Sequence, residues 1–122
     1  MKLSLDENTT SYQIQRIDSN SITVNNKVYS QNVIVMPNKI INWNATNFET
    51  LQVSHFQQLL DLKPELVLLG TGNISRFPTT ELLVPLIEAK IGLEVMNTIA
   101  ACHTYTLLRI EGRNVAAALL LT

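Results

Sequence analysis

Between Glu65 and Leu121 the chain repeats one pattern: a short apolar run, a glycine or turn, then an amphipathic stretch of helical length. Three apolar runs, Glu65–Leu69, Leu93–Met96 and Val115–Leu121, alternate with two helical segments, and all four glycines stand where a strand or helix should stop. Short apolar runs separated by helices read as β-α-β-α-β with parallel strands, because a parallel return needs a crossover long enough to hold a helix. The last run, Val115-Ala-Ala-Ala-Leu-Leu-Leu121, has no polar position and requires burial on both faces. Right-handed crossovers then bring the loops after Leu69 and Met96 to one edge.

Upstream the period changes from helical to alternating. Tyr12, Ile14 and Arg16, then Ile22 and Val24, alternate with polar neighbours, and Asn25-Asn26 suits a two-residue type I′ connection because asparagine tolerates positive φ. Asp18-Ser19-Asn20 is a looser turn. Asn32–Met36 reads as a strand covered on both faces and closed by Pro37-Asn38, with Ile40, Ile41 and Trp43 continuing as another. Trp43 is expected to pack rather than to serve as a ligand platform. A capping-box spacing, Ser54 to Gln57, opens a helix with Phe56, Leu59 and Leu60 inward and His55 exposed, and Pro64 ends it. The predicted class is α/β in the mixed α+β sense, a compact single domain over residues 1–122. Residues 12–45 supply mainly antiparallel strands, and residues 54–121 the α-β-α-β-α-β portion.

Composition bounds the function. A chain of 122 residues buries about two-thirds of its unfolded surface, enough for one core without a disulfide or cofactor. A net charge of −1 argues against nucleic acid as partner. One cysteine and two distant histidines offer neither a disulfide nor a zinc site, and suit a reducing cytoplasm. The opening residues Met1 to Glu7 turn acidic before an apolar run develops, unlike a secretory leader or organelle presequence. The longest apolar run, seven residues, is too short to span about 30 Å of hydrocarbon.

The chemistry that can be read from the residues gathers at one edge. Gly70-Thr71-Gly72 after a strand could turn backbone amides toward an anion, with Arg76 beside it. Neither a third glycine nor a P-loop lysine completes a nucleotide fingerprint, and a tight turn beside a solvent-lined cleft is the simpler reading. Glu94 lies near the carboxyl end of a strand, the side on which α/β sites gather, and its bland alternative is an edge charge paired with arginine. Asn97 and Thr98 cap the last helix, which runs to about Ile110 with Gly112 as its C-cap, and His103 could stand at the cleft rim. The candidate ligand or partner cleft is therefore Gly70, Thr71, Gly72, Arg76, Glu94, Asn97, Thr98 and His103, with no catalytic residue and no metal assigned. Cys102 and His103 do not form a catalytic pair, since adjacent helical residues point about 100° apart. Cys102 instead shares a face with Thr98, Tyr105 and Arg109. Leu82, Leu83, Leu86 and Ile87 are expected to pack inward from the preceding helix, whose Pro85 must sit in the first turn or kink it. Glu111 and Arg113, at the far end of the sheet, are expected to form a structural ion pair.

Leu69-Gly70-Thr71-Gly72, Gly92–Thr98, Ala100–Tyr105 and Glu111–Leu119, in this order and spacing, resemble the small single-domain family that includes the third mitochondrial complex I assembly factor and the adipogenesis-associated Mth-like domain proteins. The resemblance covers nearly the whole chain. It implies an α/β domain mixing antiparallel and parallel strands, no established catalytic activity, and a protein partner; no cofactor is assigned. Where the family pattern has an aspartate, an arginine and an asparagine, this chain has Asn97, His103 and Thr106, which removes an acid–arginine pair from the cleft. Together these readings predict a non-enzymatic, assembly-factor-like binding domain of a bacterium or of the cytosol. The alternative is a small-molecule or anion binder, or weak enzyme, using the cleft between Gly70–Gly72 and the Thr98 helix start.

Overall fold

The computed structural model describes residues 11–121. The opening residues Met1 to Glu7, read above for a leader pattern, lie outside the described residues. Among the described residues, eight strands and three α-helices follow one another. They are β1 (Ile14–Ile17), β2 (Ile22–Val24), β3 (Lys27–Tyr29), β4 (Val33–Met36), β5 (Lys39–Asn42), a 3₁₀ turn (Phe48–Thr50), α1 (Val53–Asp61), β6 (Leu66–Gly70), α2 (Thr80–Glu88), β7 (Gly92–Met96), α3 (Thr98–Ile110) and β8 (Val115–Leu119). The mixed α+β class read from the sequence is the class observed.

The strands form two sheets. One is the antiparallel meander β1-β2-β3, and the other has the order β5-β4-β8-β6-β7. In the second, β8 is the hinge of the topology: it pairs antiparallel with β4, Val33 opposite Leu119, and parallel with β6, Leu66 opposite Val115. The parallel triplet β8-β6-β7 is the predicted β-α-β-α-β unit. Asn25 and Asn26, with φ of 49° and 68°, make the type I′ connection between β2 and β3.

β8 is buried on both faces. Ala116 and Ala118 join Ile34, Val67, Leu69, Phe56, Leu59, Leu83 and Leu86 under α1 and α2. Val115, Ala117 and Leu119 join Val33, Val35, Leu68, Ile22, Val24, Cys102 and Tyr105 under α3 and the meander. Short alanines on the central strand make room for the two largest wholly buried side chains, Phe56 on one face and Tyr105 on the other. Small opposite large is how two layers reach interior packing density without voids.

Several local expectations shift. α1 starts two residues earlier than the Ser54 cap, because Gln52 holds the extended capping conformation and the His55 imidazole performs the work expected of Gln57. His55 Nδ1 accepts from the Gln52 amide at 3.0 Å. His55 is half-buried rather than exposed, with its carbonyl accepting from Trp43 Nε1 at 3.1 Å and its ring edge-on to the indole. Trp43 packs in the core, 3% exposed. Ile87, expected inward, is 55% exposed, since α2 offers only the narrow stripe of Leu83 and Leu86 to the sheet and α1. Pro85 lies in the second turn of an α2 that runs on past it, and Lys90, at φ 60°, rather than Gly92 makes the left-handed turn after the helix. Arg113 pairs with Glu65 instead of Glu111. The residues just before β6 and β8 come side by side because those strands are parallel neighbours.

Candidate functional site

The tip of the parallel triplet is tied by two threonines. Thr98, first residue of α3, donates from Oγ1 to the Leu120 carbonyl at 2.7 Å and accepts there from the Gly72 amide at 2.8 Å. Its own amide donates to the Gly72 carbonyl at 2.9 Å. Thr71 is 1% exposed. Its amide donates to the Met96 carbonyl at 2.9 Å, and its hydroxyl donates to the Ile74 carbonyl at 2.6 Å and accepts from the Arg76 amide at 3.1 Å. The ends of β6, β7 and β8 and the start of α3 are thus one hydrogen-bonded unit.

The same bonds decide what the glycine loop can do. The Thr71 and Gly72 amides donate to internal acceptors, so the loop is a turn, with Gly72 at φ 94°. Gly70 is needed for a close approach: a Cβ there would stand 3.0 Å from both Cα and Oγ1 of Thr98.

Beside this unit lies a pocket of about 300 Å³ lined by Gly72, Asn97 and Thr98 from the predicted set, with Ile17 at the end of β1, Asp18 of the β1–β2 turn, Ile99 and Leu120. Asn97 is the α3 cap, its side chain accepting from the Ala100 amide at 2.8 Å. Asp18 entered the sequence reading only as part of the Asp18-Ser19-Asn20 turn and not as a site residue. It arrives from a separate sheet and nothing in its local pattern announces it. Its carboxylate pairs with Arg16 at 3.3 Å, and the Thr71 and Gly72 amides are engaged internally, so the loop offers an anion neither of those donors.

The other predicted residues stand elsewhere. Arg76 turns to the 3₁₀ segment, Nη1 donating to Glu49 Oε2 at 2.7 Å and the guanidinium lying 4.4 Å over the Phe48 ring. That bond to Arg76 holds the Glu49 carboxyl below its usual range. Glu94 sits in the middle of β7 opposite Leu68, on the exposed sheet edge. His103 is exposed in the second turn of α3 and does not line the pocket.

Cys102 is buried among Ala101, Tyr105 and β8, and that burial pushes its thiol up to about 12. Burial likewise pushes the Tyr105 phenol up, and its hydroxyl donates to the Tyr12 carbonyl at 2.8 Å. Neither group is a nucleophile near neutrality. Among the described residues, no three His, Cys, Asp or Glu side chains converge, and no helix is long and apolar enough to cross a membrane.

The opposite face of α3 is apolar where solvent should favour polar residues. Ile99, Leu107 and Ile110 are 55%, 63% and 69% exposed. With His103 they follow one another at four, four and three residues, so they share a stripe running from the pocket rim down the helix. The signal was legible in the sequence, since Thr98, Ala101, Cys102 and Tyr105 already fill the buried face and leave these aliphatic residues no core to enter.

Comparison with known proteins adds the lineage. A 13 kDa major membrane protein of Francisella tularensis subsp. holarctica is 28% identical over 90 residues, covering 72% of this chain and 73% of that protein. The NADH dehydrogenase (ubiquinone) 1 alpha subcomplex assembly factor 3 of Rattus norvegicus is 29% identical over 110 residues, 88% of this chain, and the match spans 59% of the assembly factor's own length. A crystal structure of a Bordetella parapertussis protein superposes with a TM-score of 0.86 at 30% identity, covering 93% of this chain and 98% of that one. The family model described as Protein of unknown function (DUF498/DUF598) matches residues 14–120. With the match extending from β1 through the end of β8, this chain belongs to the DUF498/DUF598 family of proteins of unknown function.

Proposed function

We propose that this chain is a non-enzymatic protein-binding domain, acting in the manner that the name assembly factor gives to its rat relative, and that the outward stripe of α3 holds the partner. The observation that carries this reading is the exposure of Ile99, Leu107 and Ile110 on one helical face. Three aliphatic side chains left in water along one helix are a recurrent mark of an interaction surface, and their removal from water on docking is favourable at about 25 cal/mol per Å². The absence of a depressed thiol pKa at Cys102 and the internal use of the glycine-loop amides support the non-enzymatic part. A cytoplasmic setting belongs to the same proposal; subcellular fractionation tests it, and recovery with membranes would instead align the chain with the relative named as a membrane protein.

The test is affinity capture from cells using the unmodified chain and a Leu107→Glu variant. Both should unfold at the same urea concentration, and the variant should lose the captured partner. Equal recovery by both proteins sinks the α3 assignment, and turnover of a substrate that depends on Cys102 or Glu94 sinks the non-enzymatic reading.

A second reading keeps a small molecule at the pocket of about 300 Å³, favoured by the meeting of Gly72, Asn97 and Thr98 with Asp18. The mixture of Ile17, Ile99 and Leu120 with the Asp18 carboxylate, itself paired with Arg16 at 3.3 Å, suits a small, partly apolar ligand bearing a hydrogen-bond donor. Native mass spectrometry of the purified protein, repeated after addition of metabolites, decides it. A retained mass that Asp18→Asn abolishes supports this reading, and an apo mass throughout removes it.

A further inference from the structure

α1 and α2 lie side by side over the sheet, and each leads into one of two neighbouring parallel strands, so the helices run in the same sense. Between their outer shoulders is a groove of about 620 Å³. Val53 and Leu60 of α1 face Val84 and Pro85 of α2 across it, and Glu81 and Glu88 stand on the α2 side. Val53 and Val84 are 46% and 40% exposed. The spacing is helical on both sides, with seven residues from Val53 to Leu60 and seven from Glu81 to Glu88. The groove is therefore straight and two turns long.

Within the two helices the formal charges have one sign, with Lys63 and Lys90 lying beyond their C-terminal ends. Neither α1 nor α2 contains a lysine or arginine, whereas they carry Asp61, Glu81 and Glu88. Pro85 adds to the imbalance. It has no N–H, so the Glu81 carbonyl lacks the amide donor that a helix supplies four residues later. A mainly apolar floor interrupted by Gln57, two carboxylates and a backbone carbonyl without its helical donor form a surface complementary to a mainly apolar stripe flanked by cations.

We propose that this groove docks a short amphipathic helix of a partner protein whose apolar edge is bordered by lysine or arginine. Nine residues in each wall give about 14 Å of contact, two to three turns of the incoming helix. The same carboxylates repel an anionic bilayer, so a membrane surface fits poorly. The groove lies on the face of the sheet opposite α3, and this inference stands independently of the α3 stripe.

The probe is a designed peptide of about 14 residues with leucines at i, i+3, i+4 and i+7 and lysines elsewhere, alongside its counterpart with glutamate for lysine. The full chain, isotopically labelled, is titrated with each and followed by NMR. The cationic peptide should move the amide signals of Val53, Leu60 and Val84, its affinity should fall as salt is raised, and the glutamate peptide should leave those signals in place. A Glu81→Lys, Glu88→Lys double variant should bind about tenfold more weakly, and Glu81→Gln, Glu88→Gln should weaken binding in the same direction if the charge reversal disturbs the fold. Leu107→Glu should bind the peptide as the unmodified chain does, which separates failure here from failure of the α3 surface. Equal response to both peptides, signals moving elsewhere, or affinity unchanged in both double variants overturns the proposal. Binding to phosphatidylglycerol vesicles that depends on Val53 and Val84 also overturns it, in favour of a membrane.

Discussion

Thr98 ties the structure together through one hydroxyl, which joins three segments that are distant in sequence. Its oxygen serves the Gly72 amide and the Leu120 carbonyl inside the protein, where water cannot replace it. Thr98→Val keeps the shape but leaves both groups without a partner, and unfolding in urea should show a loss of about 2–4 kcal/mol, with Thr98→Ser recovering most of it. Cys102 presents the opposite case, a reactive residue type made inert by its surroundings. With its thiol pushed up to about 12, iodoacetamide at pH 8 should leave the native protein unlabelled and label it fully in urea. Rapid labelling of the folded protein would contradict the burial.

At the scale of elements, two glycines separate two causes of the same apparent requirement. Gly70 ends β6 without a positive φ, and its constraint is contact: an alanine methyl would press on Thr98 and on Leu119 Cδ2 at 3.2 Å. Gly112 follows α3 at φ 80° with nothing within 4 Å of an added Cβ, so its constraint is backbone alone. Gly112→Ala should cost about 1 kcal/mol, and Gly70→Ala about 1–3 kcal/mol with altered amide signals at the α3 start. Matching spectra for both variants would refute the distinction. The start of α1 makes stability depend on pH. Burial lowers the His55 pKa from about 6.5, in keeping with Nδ1 accepting from the Gln52 amide in the neutral form. Above about 6.5 His55 is neutral in both states and its contribution is complete. As pH falls below that value the unfolded chain takes up the proton first, so stability declines, and the decline ends below the lower folded-state value. His55→Gln, which can still accept from Gln52, should flatten that part of the stability profile.

For the molecule as a whole, α3 helps fasten the meander to the main sheet, beside the packing of Ile22 and Val24 with Val33 and Val35 and the Tyr12 amide donating to the Pro37 carbonyl at 3.0 Å. Tyr105 reaches the Tyr12 carbonyl, and Arg109 Nη1 donates to Ser11 Oγ at 2.9 Å. Tyr105→Phe should lower stability by about 1–2 kcal/mol and raise amide exchange in β1 and β2 more than in β6 or β8. Uniform change across both sheets would show that the meander is not separately fastened. Burying one face of α3 in this joint leaves its other face outward, and there the aliphatic stripe remains.

Much of this was legible because local patterns carry it. The unbroken apolar run at Val115–Leu121 required a strand buried on both sides, observed over Val115–Leu119, the paired asparagines required a tight hairpin, and Asn97 caps α3 as expected, whereas its C-cap is Glu111 and Gly112 turns the chain one residue beyond. Each depends on neighbours within a few residues, where backbone preference and side-chain period act directly. The candidate cleft was legible only in part. Gly72, Asn97 and Thr98 meet because parallel strands place successive loops together, but Asp18 enters from another sheet, Arg76 is drawn away to Glu49 and Phe48, and Glu94 and His103 point to other surroundings. Likewise the central place of β8 between an antiparallel and a parallel neighbour, the choice of Glu65 over Glu111 by Arg113, and the groove between α1 and α2 follow from which strand lies beside which. The sequence by itself determined the elements and their buried faces, since those depend on short-range geometry. Strand order and convergence of distant side chains were decided only by the tertiary structure, since they depend on contacts whose partners lie tens of residues apart and leave no periodic trace along the chain.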